Sequence, residues 1–163
     1  MTQSPQTSRP SETQALLNPA FTAALLARAA KGHRARTQEP MPLPLAFLAC
    51  PMVLHEATRR ALPTRVTHRL APWLDANQIH RAGMPGRARL LAPVVRSGLR
   101  AGVRAGILQL TAGGLVDSIP RRPRGLDLSE EVEEIFDRAQ FVGGWLGMSG
   151  PPSAVFALWR VRP

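Results

Sequence analysis

Cysteine and lysine each occur once in the 163 residues, and acidic side chains number only 11. The lone Cys50 has no partner for an intramolecular disulfide, so the chain fits a reducing cytoplasm. Set in apolar text, it reads as a small buried hydrophobe. No apolar run reaches the roughly 20 residues that a bilayer span requires. The densest run, Leu43 to Leu54, is interrupted at Pro44 and Pro51 and preceded by Pro42. Proline removes a backbone donor and clashes with the preceding turn, so this stretch is core rather than membrane span. Residues 1–12 (MTQSPQTSRPSE) have no apolar segment of the kind a secretion signal carries, and are expected as a disordered tail.

Catalytic motifs are missing as well. His55-Glu56-Ala57-Thr58-Arg59 begins like a zinc-protease helix, but the second histidine at i+4 is absent. There is no P-loop, no Gly-x-Ser-x-Gly and no thiol–histidine pattern. His33, His55, His68 and His80 are scattered and read as solvated or hydrogen-bonded. His55 and Arg59, with Glu56, form the one polar cluster beside the apolar block. We expect no enzymatic activity, no metal and no cofactor.

What the chain has in quantity is arginine, which supplies 20 of its 21 basic residues; the other is Lys31. The formal net charge is +10 and the isoelectric point near 11.7. Residues 57–124 hold 13 arginines against only Asp75 and Asp117. Such an excess draws the chain toward polyanions or an acidic protein face.

Periodicity and capping residues predict a mostly helical single domain over 13–163 with one small β-hairpin. Asn18 caps a helix with Pro19 at its first position, and Lys31-Gly32 is the expected stop. Residues 33–42 then form a basic loop. An extended stretch at 40–45 leads to a short apolar piece, and a helix runs from Pro51 to Ala61, ended by Pro63. A helix is expected over 66–76, a loop over 77–85 through Gly83 and Pro85, a short helix over 87–91, and another from Pro93 to about Ala105. Residues 107–119 read as a hairpin turning at Ala112-Gly113-Gly114, followed by a basic loop at 120–128. Ser129 caps a helix whose stripe is Val132, Ile135, Phe136, Ala139, Val142 and Leu146. Gly143-Gly144 suggests close helix packing. After the break at Gly150-Pro151-Pro152, Ser153 is expected to cap a last short element.

The order of elements over 66–119 is that of a winged helix-turn-helix. On its last helix Arg96, Arg100 and Arg104 recur at i, i+4 and i+8, beside an apolar ridge of Val95, Leu99 and Val103. Arg121, Arg122 and Arg124 follow the hairpin. These six are the candidate nucleic-acid contacts. That helix has no Asn or Gln and several small residues, so backbone contact with DNA is expected rather than base reading. The same arginines suit an acidic protein surface, and that contact is favoured over nucleic acid. At the C-terminus Phe156, Trp159, Arg160 and Arg162 are candidate interface residues, because Trp and Arg are common interface anchors. The alternative is that the aromatics finish the core.

Three pieces of the chain carry a family resemblance. They are Leu16-Leu17-Asn18-Pro19-Ala20-Phe21, the block from Pro40 to Arg65 (PMPLPLAFLACPMVLHEATRRALPTR), and the ending Ala154 to Pro163 (AVFALWRVRP). In this order the chain resembles the middle component of bacterial three-component ABC systems. Trp159-Arg160 stands where that family's ending has Leu-Gly. The resemblance implies a non-catalytic adaptor. Its implied partners are an ABC-type ATPase of the chromosome-maintenance and repair kind and a variable third component, in defence against phage or plasmids. The alternative is a stand-alone winged-helix DNA-binding regulator. Neither reading involves a membrane.

Overall fold

The computed structural model describes residues 18–118 and 128–162. The expected tail, and Arg121, Arg122 and Arg124, lie outside the described residues.

The first helix, α1 (Pro19–Thr37), starts where the cap predicts: Asn18 Oδ1 accepts from the Ala20 N–H at 2.9 Å. It does not stop at Lys31-Gly32. It continues to Thr37 and closes on Gln38 in the left-handed region (φ 63°), two residues before Pro40. Gly32 is instead a point of close approach, since a Cβ there would collide with the backbone carbonyl of Gln140. Met41 then bridges to Leu115 through two backbone hydrogen bonds, at 2.9 and 2.7 Å. The extended stretch is therefore shorter than 40–45, because Leu43–Leu45 is already a 3-10 turn.

The apolar block folds as α2 (Ala46–Leu54), with Pro51 inside it rather than at its start. Proline there removes only one hydrogen bond, to a carbonyl of the first turn. His55 leaves the helical region (φ −85°, ψ 104°) and caps α3 (Glu56–Ala61), its Nδ1 accepting from the Thr58 N–H at 3.2 Å. The expected 51–61 helix is thus two helices. Leu62 is extended before Pro63, as proline demands.

The largest departure follows α4 (Leu70–Ala76). Residues 78–104 form one continuous helix, α5, with Pro85 and Pro93 inside it. An interior proline costs a helix about 3 kcal/mol. Here tertiary packing against α1 and α2 overrides that cost. The loop expected over 77–85 and the break between 91 and 93 are both helix. No turn separates two helices there, which leaves the winged helix-turn-helix assignment without its defining feature.

The hairpin forms as expected. Strands β1 (Leu108–Thr111) and β2 (Gly114–Asp117) pair antiparallel across Ala112-Gly113, with Leu110 opposite Leu115. Gly114 has φ 134°, and a Cβ there would meet the Met41 carbonyl. The Arg34–Asp117 ion pair, at 2.8 Å, ties the hairpin to α1.

Ser129 caps α6 (Glu130–Gly147), its Oγ accepting from the Val132 N–H. α7 (Pro152–Trp159) is not capped by Ser153; Pro151 holds the cap position and Pro152 begins the helix. Within α6, Gly143 lies so close to the Ala29 carbonyl that only glycine fits, as the Gly-Gly pair suggested. The α1–α6 contact is the most extensive in the fold, and α1 also packs on α5. One buried cluster draws on every helix except α3. At one end three tryptophans meet: Trp73 lies 5.3 Å from Trp145, edge to face, and 5.9 Å from Trp159.

Candidate docking groove

The continuous α5 puts four arginines on one stripe. Arg89, Arg96, Arg100 and Arg104, spaced seven, four and four residues apart, are all exposed. The two acids of the arginine-rich region are engaged elsewhere, Asp75 with Arg81 at 3.5 Å and Asp117 with Arg34. None of the four stripe arginines has an ion pair among the described residues. Arg96 lies over the Phe47 ring, 5.9 Å from its centroid.

Beside this stripe runs an apolar trough in two chambers. The first, about 410 Å³, is floored by Leu43, Phe47, Ala88 and Phe156 and edged by Arg89, Arg96 and Arg162. The second, about 330 Å³, is lined by Leu99, Val103, Leu110 and Leu115, with Arg100 and Arg104 at its edge. Leu43 belongs to both, and among the described residues no acidic side chain lines either. Val103 and Leu110 are 48% and 60% exposed and share the lining of this chamber, so they form a patch rather than scattered single groups.

The trough brings together residues from both candidate sets. Arg96, Arg100 and Arg104 edge it from α5, and Phe156 and Arg162 reach it from the chain's end. Trp159 does not. It is fully buried in the core, and Phe156 is 5% exposed, so both aromatics serve the core first. Arg160 closes α7 in the left-handed region, with φ 56°.

The polar residues around His55 form a separate hub. The fully buried Thr58 hydroxyl lies 2.8 Å from His55 Nδ1, 3.2 Å from His80 Nδ1 and 3.4 Å from the Arg87 guanidinium, which also donates to the His80 carbonyl. A single hydroxyl hydrogen serves only one of these nitrogens at a time. Burial and the Arg87 charge hold both imidazoles below the usual histidine pKa. Arg59 is buried, donates to the Val53 carbonyl at 2.9 Å and faces Glu131 and Glu134 of α6. It clamps α3 to α6, and Glu56 pairs with Arg60 instead. Trp73 stacks on His80, closing the hub on one side. Thr58, being buried, offers no accessible nucleophile. Among the described residues no group of three or more His, Cys, Asp or Glu could hold a metal ion.

Residues 6–163 match the family model described as ABC-three component (ABC-3C) system Middle Component 3. The chain belongs to this family. No curated protein and no solved structure matches it. Among the described residues of this middle component, no helix is long and apolar enough to cross a membrane.

The trough residues that sequence reasoning missed include Arg89, Leu43, Phe47 and Leu110. Arg89 carried a signal: it extends the Arg96–Arg104 spacing by two turns, but the expected break at Pro93 hid the continuity. Leu43 and Phe47 stand out only as members of a hydrophobic run. Leu110 of the hairpin joins them through the Met41–Leu115 bridge, a contact across more than 70 residues.

Proposed function

We propose that this middle component is a non-catalytic adaptor. It links an ABC-type ATPase of the chromosome-maintenance and repair kind to a third, effector component, in defence against phage or plasmids. Membership of a middle-component family supports protein partners. The observation that carries the reading is the arginine-edged trough: an open apolar floor with exposed cations beside it, of the kind that suits a protein interface.

The test is co-expression of all three components with the middle component tagged. Leu110→Glu, at an exposed position, is expected to release one partner while the far-ultraviolet spectrum and melting temperature stay unchanged. Capture of both partners at wild-type levels by this variant would sink the interface. The isolated chain is expected to turn over no ATP, and measurable turnover would overturn the non-catalytic assignment.

Contact with DNA is a second reading, supported by the exposure of Arg96, Arg100 and Arg104. Arg121, Arg122 and Arg124 would add to it. It predicts sequence-indifferent binding whose salt slope falls by about 1 for each phosphate contact removed. An unchanged slope in the Arg96/Arg100/Arg104→Ala variant would remove the stripe from that role.

A further inference from the structure

We infer that the trough's occupant is an acidic amphipathic α-helix supplied by a protein partner, an inference that rests on the adaptor reading above. The lined stretch of α5, from Ala88 to Val103, is about 22 Å long at 1.5 Å per residue. A helix of about 15 residues, or four turns, covers it. The floor demands apolar side chains. The spacing of Arg89, Arg96, Arg100 and Arg104 follows one face of α5. Carboxylates repeating at i, i+4 and i+7 on a helix lying alongside meet that stripe turn for turn. Arg162 adds a cation from the segment after α7.

A helix is favoured over an extended peptide by the backbone. The first chamber is lined by side chains from α5, α7 and the Leu43–Phe47 stretch and presents no strand edge. A segment buried there has to satisfy its own N–H and C=O groups, which a helix does internally. Charge selects the occupant's sign: the edge is positive and, among the described residues, no acidic side chain lines the trough. Duplex DNA meets the charge but makes no use of the floor, and Val103 and Leu110 would stay exposed to water beneath it.

The experiment titrates the full chain with a fluorescein-labelled, side-chain-stapled helical peptide of about 15 residues, with leucine at i, i+4, i+7 and i+11, glutamate along the one flank that meets the arginines, and alanine or glutamine elsewhere. Two control peptides replace glutamate by lysine or scramble the leucines. We expect saturable binding to the glutamate–leucine peptide and at least about tenfold weaker binding of both controls. Leu110→Glu and Arg100→Glu/Arg104→Glu lie at exposed positions, so the fold is expected to survive, and each should weaken binding by about tenfold or more. Equal binding of the scrambled peptide would overturn the amphipathic requirement. A random-sequence DNA duplex that binds through the same residues, with no peptide binding, would overturn the choice of occupant in favour of nucleic acid. Co-purification separates this inference from the adaptor reading. If Leu110→Glu releases a system partner but the native chain ignores the peptide, the trough is an interface and the acidic helix is wrong. If the peptide binds as expected but Leu110→Glu still captures both partners, the occupant chemistry stands and the assignment of the system's interface to the trough fails.

Discussion

Gly143→Ala is expected to damage this fold more than its one added methyl suggests. The α1–α6 seam is built backbone against backbone. At Gly143 an ideal Cβ would overlap the Ala29 carbonyl oxygen, with the carbonyl carbon at 2.6 Å and the Ala29 Cα at 2.8 Å. Ordinary contact begins near 3.4 Å, so the helices must part by roughly 1 Å, and a gap of that size forfeits a quarter to a half of each contact's dispersion energy. The atoms in the way are main chain and have no rotamer to escape into. Ala29, Ala139 and Val142 on the same seam are fully buried and would lose contact together. We put the gross cost at about 4 kcal/mol, at or just past the usual overpacking range. Removing a helix-interior glycine returns about 1 kcal/mol, leaving a net loss of about 3 kcal/mol. At about 2–4 °C per kcal/mol for a chain of this size, the midpoint drops by about 6–12 °C. Two other glycines calibrate the result. Gly144→Ala meets the flexible Arg36 Cγ at 3.0 Å and the Gly32 carbonyl at 3.1 Å, and should cost less than about 1 kcal/mol once helix propensity is counted. Gly86→Ala meets nothing within 4 Å and should stabilise α5 by about 1 kcal/mol. The assay is urea and thermal unfolding followed by circular dichroism. The reasoning fails if Gly143→Ala melts within a degree or so of the native chain, or if the three variants do not rank in this order.

Further expectations concern single groups. Arg160→Gly restores the residue that the left-handed position favours; relief of about 1–2 kcal/mol of backbone strain, less the greater unfolded-state freedom of glycine, should raise stability by about 0.5–1 kcal/mol, and a lowered midpoint would contradict this. Burial pushes the Cys50 thiol up to about 12, so a thiol reagent should label it only after denaturant is added; prompt labelling of the native chain would refute its burial. His33, His55 and His80 all sit below the ordinary 6.5, through burial first and, for the latter two, the Arg87 charge. The unfolded chain therefore binds more protons than the folded one as pH falls through 6.5, and stability should fall with it while carboxylates stay ionised, above about pH 5. His80→Gln should flatten that slope, and a native profile that is flat or rises toward acid would reverse the assignment.

Local chemistry was legible wherever one residue decides the backbone. Asn18-Pro19 and Ser129 start helices, Pro63 makes Leu62 extended, and Ala112-Gly113 turns the hairpin. It misled where a residue has two uses. Gly32 looks like a helix stop, but it also permits two backbones to touch, and nothing within α1 distinguishes these uses. Pro85 and Pro93 are local helix breakers that packing against α1 and α2 overrules. The arginine stripe was half visible, since three of its four members fell on one expected helix. The trough was not visible as a unit. Its floor joins residues near 43, 88–104, 110 and 156, and only the tertiary fold makes those segments neighbours. The Thr58 hub is hidden for the same reason: His55 is its near neighbour, whereas His80 and Arg87 arrive from 22 and 29 residues beyond Thr58.

The pairing of α1 with α6 also sets an order of events during synthesis. The first helix leaves the ribosome roughly a hundred residues before the helix that covers it. At about 5–20 residues per second, the side of α1 that faces α6 waits about 5–20 s for its partner. For that interval Ala29 and Gly32 lack the Gly143 and Gln140 backbone that meets them in the folded chain. A product lacking residues 130–147 would leave the most extensive contact of the fold unmade.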